Sequence, residues 1–232
     1  MTVKIGLLAS GSGSALNHII SITKTLNPLV SFYGISDRKC GAFDVIRNHC
    51  DAFHLETTLD RELLSQSASK FFKDNQCDLV LLMYSRLVSS HLFDSIKCVN
   101  VHPSLLPSYT GFKAVKRAFD DKSYFIGVTL HLVDQSVDSG PIIAQVKIHP
   151  AFYNLDYWLS VSYLMKISLV SAFLCSLKAS SQGNIQLINS FSIPEALPEQ
   201  FHFLNLLASN KIVEQLRPIF LDSQAASFPF SQ

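Results

Sequence analysis

The chain has 232 residues, 48% of them apolar, with 19 basic side chains against 18 acidic ones. Such a length accommodates one large domain with a full core, or one domain carrying a small appendage. The balanced charge excludes a partner held mainly by electrostatics, so neither nucleic acid nor an anionic membrane surface is expected.

In chain order, Val3–Ala9 is a continuous apolar run of strand length, and across Ala15–Leu26 the residues Leu16, Ile19, Ile20 and Leu26 fall at helical spacing. The rhythm repeats as strand Leu29–Ile35 with helix Ala42–His49, strand Ala52–Leu55 with helix Leu63–Phe72, and strand Leu79–Tyr84 with helix Ser89–Ile96, before strand Cys98–Val101. Strands that are apolar throughout and alternate with helices predict a parallel sheet covered on both faces, a doubly wound α/β domain. After Pro107 the pattern changes to a helix over Lys113–Phe119, a strand over Phe125–Val133, the turn DQSVDSGP and a strand over Ile142–Ile148. Hairpin-like pairing of the last two gives a mostly parallel sheet a mixed edge.

The stretch Leu155–Leu177 is long and apolar enough to resemble a membrane span, but it carries Asp156 near its start, Lys166 near its middle and recurrent serines. A central lysine costs roughly 2.5–3.5 kcal/mol on insertion. The prediction is therefore a helix packed on a protein core. From Ala179 onward, a tail with Pro194, Pro198, Pro218 and Pro229 reads as strand, short helix and loose end, so residues 1–178 form the main domain and 179–232 a C-terminal extension. The cysteines Cys40, Cys50, Cys77, Cys98 and Cys175 are scattered, odd in number and without CxxC spacing, and the apolar run at the N-terminus is too short for a secretory leader. Both features point to a reducing, cytoplasmic setting.

Three motifs carry chemistry. In LLASGSGSAL, Gly11 and Gly13 stand between the first strand and the first helix, but Leu16 occupies the third glycine position of a dinucleotide fingerprint, so Asp37 after the second strand has no cofactor to serve. Gly11, Ser12, Gly13 and Ser14 at a helix N-terminus fit an anion such as phosphate. A tight turn with a serine N-cap fits the same residues.

In NVHPS, Asn100 and His102 alternate around Val101 at the carboxyl end of a strand, where open α/β sheets bind ligands, and can donate to an oxygen gaining charge. In VDSGP, Asp138 lies in a turn. A carboxylate there could raise the imidazole pKa and move protons, with Asp134 as the reserve. His18, His49, His54, His91, His149 and His202 show no spacing for metal ligation, so no metal is expected. His131 sits in a strand near Asp138 and could line the same cleft.

Taken in order and spacing, ASGSGSAL, VLLMYSRLVSS, NVHPSLLPSYTG, GVTLHLVD and VDSGPIIAQ resemble the formyltransferase family that uses 10-formyltetrahydrofolate, over about residues 3 to 150. The resemblance implies the Rossmann-like formyltransferase fold and transfer of a formyl group from that folate cosubstrate to a primary amine. It places the catalytic Asn, His and Asp on Asn100, His102 (as imidazolium) and Asp138. The folate pocket falls on Leu81, Tyr84, Ser85, Arg86, Leu87, Val88, His131 and Asp134, with Arg86 facing the folate tail, and the substrate phosphate on Gly11, Ser12, Gly13 and Ser14.

The acceptor that the resemblance favours is glycinamide ribonucleotide, in purine biosynthesis. Against that branch, Ala15 replaces an asparagine that would supply an amide donor near the phosphate, and Tyr163 and Leu164 stand where a Glu-His pair would contact substrate. Arg61 is only a neighbour of the arginine that would grip phosphate, and Lys113 is read as solvated. The alternatives are another amine acceptor (an amino sugar nucleotide or methionyl-tRNA), a folate-binding protein without turnover, or a 10-formyl-folate hydrolase. The neutral charge and short tail weigh against the tRNA, and a start directly at the first strand weighs against the hydrolase. A monomer or homodimer is expected.

Overall fold

The computed structural model describes residues 2–179 and 185–187. Seven strands, β1 (Val3–Ala9), β2 (Val30–Ser36), β3 (Ala52–Leu55), β4 (Leu79–Met83), β5 (Cys98–His102), β6 (Ile126–Leu132) and β7 (Ile142–Ile148), form one sheet in the order β3-β2-β1-β4-β5-β6-β7. β1 to β5 are parallel, while β6 runs antiparallel to β5 and β7 antiparallel to β6. The doubly wound sheet with a mixed edge is the architecture expected from the alternating pattern.

The helices are α1 (Ser14–Leu26), α2 (Gly41–His49), α3 (Arg61–Asp74), α4 (Ser90–Phe93), α5 (Ala114–Asp120) and α6 (Leu155–Cys175). One face of the sheet packs on α1, α2, α5 and α6 around Ile5, Leu7, Phe32 and the fully buried Trp158, and the other on α3 and α4 around Leu8, Ile35, Phe72 and Leu82. Burial of apolar side chains on both faces is why the strands read as unbroken apolar runs.

Several boundaries differ from the periodicity. α3 begins at Arg61, two residues early, because the Asp60 carboxylate accepts the Leu63 N–H at 2.9 Å and caps the helix. α4 is a single turn instead of the eight residues expected, because the Ser95 N–H (3.0 Å) and hydroxyl (2.8 Å) both donate to the Leu92 carbonyl and tighten the chain there. α6 ends at Cys175, two residues short, and a small strand β8 (Leu177–Ala179) follows, pairing antiparallel with β9 (Ile185–Leu187). β8 thus runs across the expected 178/179 boundary. The proline-bearing part of the tail and His202 lie outside the described residues.

α6 is the one helix among the described residues long and apolar enough to cross a membrane. It packs instead on α1, α5 and β6, with Trp158 edge-on to Phe119 at 5.7 Å and to Tyr153 at 5.5 Å. Its N-terminus is capped by Asn154, whose side-chain oxygen accepts from the N–H groups of Asp156 and Tyr157.

Candidate active site

The chain leaves β1 toward β2 on one side and returns to β4 on the other, so a crevice opens at the carboxyl ends of β1, β4 and β5, where doubly wound sheets bind ligands. It is a cavity of about 710 Å³. Asn100, His102, His131 and Asp138 line one part, residues 82–88 a second, and Gly11–Leu16 with Tyr163 and Lys166 of α6 a third.

Strand register assembles the polar cluster. Asn100 lies opposite His131, and His102 opposite Thr129, across the antiparallel β5–β6 pair. Asp138 reaches them from the turn before β7, in a left-handed conformation (φ 53°). Its Oδ2 accepts the Gly111 N–H at 2.7 Å and lies 3.2 Å from His102 Nδ1, while Oδ1 accepts from the Asn100 amide at 3.4 Å and lies 3.7 Å from His131 Nε2. His131 Nδ1 donates to the Leu132 carbonyl at 2.8 Å, leaving Nε2 to accept from Asn100 at 3.4 Å. Asp134, by contrast, is exposed and accepts only its own turn's Ser136 N–H, so the carboxylate at His102 is Asp138.

The loop after β5 is fixed by a threonine that has no local signal in the sequence. The Thr129 hydroxyl donates to the Ser104 carbonyl at 2.7 Å and accepts from the Leu106 N–H (3.0 Å) and the Gln145 amide (2.8 Å). Gln145 also donates to the Leu106 carbonyl at 2.9 Å. This clamp, with the Ser104 hydroxyl donating to the Ser108 carbonyl at 2.6 Å, brings the Tyr109 carbonyl to 2.8 Å from His102 Nε2.

For His102, the net direction of the pKa shift differs from the pull of Asp138 alone. Burial depresses its pKa, and the opposing pull of the Tyr109 carbonyl and of Asp138 does not overcome it, so the net direction is down. Asp138 does pull the pKa up, as expected, but burial outweighs it. The reason is that His102 is 5% exposed and its charged form loses hydration.

The second wall includes Tyr84, Ser85, Arg86, Leu87 and Val88, but not Leu81, which is fully buried in the core. Along β4 successive side chains alternate faces, so Leu82 takes the place at the cavity that was expected of Leu81. Asp37 proves to be an anchor for this wall. Its buried carboxylate pairs with Arg86 at 2.8 Å and with Arg38 at 2.9 Å, and accepts from the Tyr84 hydroxyl at 3.3 Å. Arg86 also donates to the carbonyls of Thr58 and Leu59, bracing the loop before α3, so its guanidinium is already largely engaged. Burial, with Asp37 beside it, pushes the Tyr84 phenol up to about 12.

At the third wall, Gly13 is the N-cap of α1 at φ 76°, where a Cβ would lie 2.7 Å from Ala42 Cα. Only glycine suits both demands. No side chain caps α1, so the expected serine N-cap does not form. Ser14 is already the first helical residue, and the Ser12 and Ser14 hydroxyls sit 3.3 Å apart at the cavity.

Of the α6 pair, Tyr163 lines the cavity and its phenol is hydrogen-bonded with Ser14, whereas Leu164 is buried in the core. Arg61 lines the cavity while paired with Glu62 at 3.0 Å, and Lys113 lines it from an exposed left-handed position at the start of α5. The five cysteines are free thiols, and burial pushes Cys50, Cys77 and Cys98 up to about 12, so they are poor nucleophiles.

With this geometry, similarity to known proteins becomes informative. The formyl transferase family profile matches residues 3–152. The phosphoribosylglycinamide formyltransferase of Bacillus subtilis is 32% identical over 155 residues, 62% of this chain and 78% of that protein. The mitochondrial formyltetrahydrofolate deformylase 2 of Arabidopsis thaliana is 34% identical over 103 residues, 44% of this chain and 31% of that protein. The crystal structure of phosphoribosylglycinamide formyltransferase from Bacillus halodurans superposes with a TM-score of 0.66 at 30% identity, covering 74% of this chain and 93% of that one. The profile spans β1 through β7 and every residue of the polar cluster, and the chain belongs to the formyl transferase family.

Proposed function

We propose that the protein transfers the formyl group of 10-formyltetrahydrofolate to the primary amine of glycinamide ribonucleotide. The observation that carries this reading is the convergence of Asn100, His102 and Asp138 within one cavity, between the wall of residues 82–88 and the N-terminus of α1. A flat folate ring system suits the first of these walls, with the apolar surfaces of Leu82 and Val88 and polar groups at its edge. An acceptor bearing phosphate suits the second.

In this scheme the acceptor nitrogen attacks the formyl carbon, forming a C–N bond and a tetrahedral oxyanion. Asn100 Nδ2 donates to that oxygen. His102 Nε2–H donates to it in competition with the Tyr109 carbonyl that it now faces at 2.8 Å. The Asp138 carboxylate, held by the Gly111 N–H, orients the imidazole and accepts the proton shed by the amine. Collapse breaks the bond from the formyl carbon to N10 of the folate, which leaves with a proton, so one amine proton is exchanged for one formyl group. Preorganised donors of this kind act where charge develops.

The test follows absorbance on release of the folate product, with glycinamide ribonucleotide and a panel of other amines as acceptors. Turnover is expected with glycinamide ribonucleotide, and His102→Ala is expected to reduce it about 10²–10³-fold. Turnover only with a different amine would change the acceptor, and hydrolysis without any amine would reassign the chemistry to water.

A further inference from the structure

The Asp138 carboxylate has a counter-charge that does not touch it. Its Oδ2 accepts the Gly111 N–H at 2.7 Å, and the carbonyl of the same peptide group, that of Thr110, accepts from Nη2 of Arg117 on α5. One peptide plane therefore joins a guanidinium at its oxygen to a carboxylate at its nitrogen. Each charge polarises the peptide in the sense that strengthens the other's hydrogen bond. The neighbouring Lys116 pairs with Asp120 at 2.6 Å, whereas Arg117 has no carboxylate partner among the described residues. Arg117 is exposed, but the buried Val115 and Ala118 fix α5 in the core.

The peptide so held belongs to a strained segment. Tyr109 (φ 58°), Gly111 (φ 77°) and Lys113 (φ 55°) are all left-handed, a conformation that a tyrosine and a lysine keep only where surrounding contacts impose it. Across residues 109–111 three backbone groups are engaged. The Tyr109 carbonyl meets His102 Nε2 at 2.8 Å, the Thr110 carbonyl meets Arg117, and the Gly111 N–H meets Asp138. The first and third of these contacts are with the reacting side chains themselves, so Arg117 is the anchor that the reaction does not disturb. Its charge is also felt at the imidazole, where with burial and His131 it opposes protonation of His102 while Asp138 favours it.

We propose that Arg117 is a positioning residue for formyl transfer: acting through the Thr110–Gly111 peptide, it holds the Asp138 carboxylate beside His102, and keeps it there when His102 Nε2 leaves the Tyr109 carbonyl for the oxyanion. This rests on the transferase reading of the cavity. Without the guanidinium, departure of His102 from Tyr109 would leave residues 109–111 tied only to Asp138, the group that has to stay still. The effect therefore falls on the transition state more than on the binding of either substrate.

The experiment uses the full chain and two readouts. In steady-state assays with 10-formyltetrahydrofolate and glycinamide ribonucleotide, Arg117→Met is expected to lower kcat about three- to tenfold and to leave both KM values unchanged. Arg117→Lys, which keeps the charge and a donor, should retain most of the rate. In an Asp138→Asn background the methionine substitution should cost nothing further, because the link it breaks has already lost its charged end. Hydrogen exchange at the Gly111 amide, followed by NMR, should quicken about threefold or more in Arg117→Met and stay near the wild-type rate in Arg117→Lys. At an exposed position both variants are expected to keep the wild-type denaturant midpoint.

An equal loss of kcat in the Asp138→Asn background would overturn the proposal. So would unchanged exchange at Gly111, or a rise in either KM with kcat intact. If Gly111 exchange depends on Arg117 but no amine is formylated, the link to Asp138 stands and the transferase reading fails. If Arg117→Met formylates amines as fast as the wild type, the positioning role fails and the transferase reading stands.

Discussion

His102 is pulled in two directions. Burial favours its neutral form, while a carboxylate 3.2 Å from Nδ1 and a carbonyl 2.8 Å from Nε2 favour the charged one. Because Asp138 acts to raise the pKa, Asp138→Asn is expected to lower it further. The ring resonances in an NMR titration report this directly, and an unchanged or raised value would deny the electrostatic link. The depressed pKa also sets a pH dependence of stability. Below the ordinary imidazole value of about 6.5 the unfolded chain takes up a proton at this residue before the folded chain does, so His102 costs stability as pH falls through that window. His102→Gln should therefore flatten the loss of unfolding free energy as pH falls below about 6.5, measured by denaturant titration. The identities of Asn100, His102 and Asp138 were legible in short motifs, since each lies at a strand end or in a turn beside proline or glycine. The protonation state was not, because it depends on how much water the folded core removes from one ring.

At the scale of elements, the loop after β5 is held from a distance. Thr129 on β6 and Gln145 on β7 together satisfy the Ser104 carbonyl and both backbone groups of Leu106, and through that loop they set where Tyr109 and Gly111 meet the site. Thr129→Val keeps the shape and deletes the hydroxyl, leaving those buried groups short of partners, at a cost of about 1–3 kcal/mol. Unfolding in denaturant measures the cost, and turnover should fall as well because His102 loses its frame. A loss of stability with full activity would show that the loop does not position the site. The prolines of HPSLLP marked a constrained loop in the sequence, but nothing near Thr129 announced its part, since register pairing brings it opposite His102. Arg86 shows the same limit. The sequence marked it as a folate-pocket candidate, and it does line the cavity, but the buried Asp37 that engages it follows β2.

At the scale of the whole molecule, the cavity wall built on the first turn of α1 depends on α6. Trp158, fully buried, packs that helix against Phe119 of α5 and beside Tyr153, and α6 in turn carries Tyr163 and Lys166 to the cavity. Trp158→Ala should cost about 3–5 kcal/mol, read as a fall in the denaturant midpoint. Its effect on activity should fall mainly on acceptor KM, because the residues 82–88 wall hangs on β4 and α3. A parallel rise in the KM for the formyl donor would show that the two walls do not move independently.

Hydrophobic period, turn residues and three short motifs, all local properties of the chain, determined the class of fold, the order of its elements and the family, and marked Asn100, His102 and Asp138 as candidates. The lysine in the middle of an otherwise apolar segment likewise marked α6 as a protein helix. The tertiary structure alone decided that Leu82 and not Leu81 faces the cavity, that burial pulls the His102 pKa down, and that Arg86 is bound to Asp37. Each of these depends on which groups, distant along the chain, are brought within a few ångströms and shielded from water. Strand register, helix packing and desolvation set those distances, and none of them is encoded in any one stretch of residues.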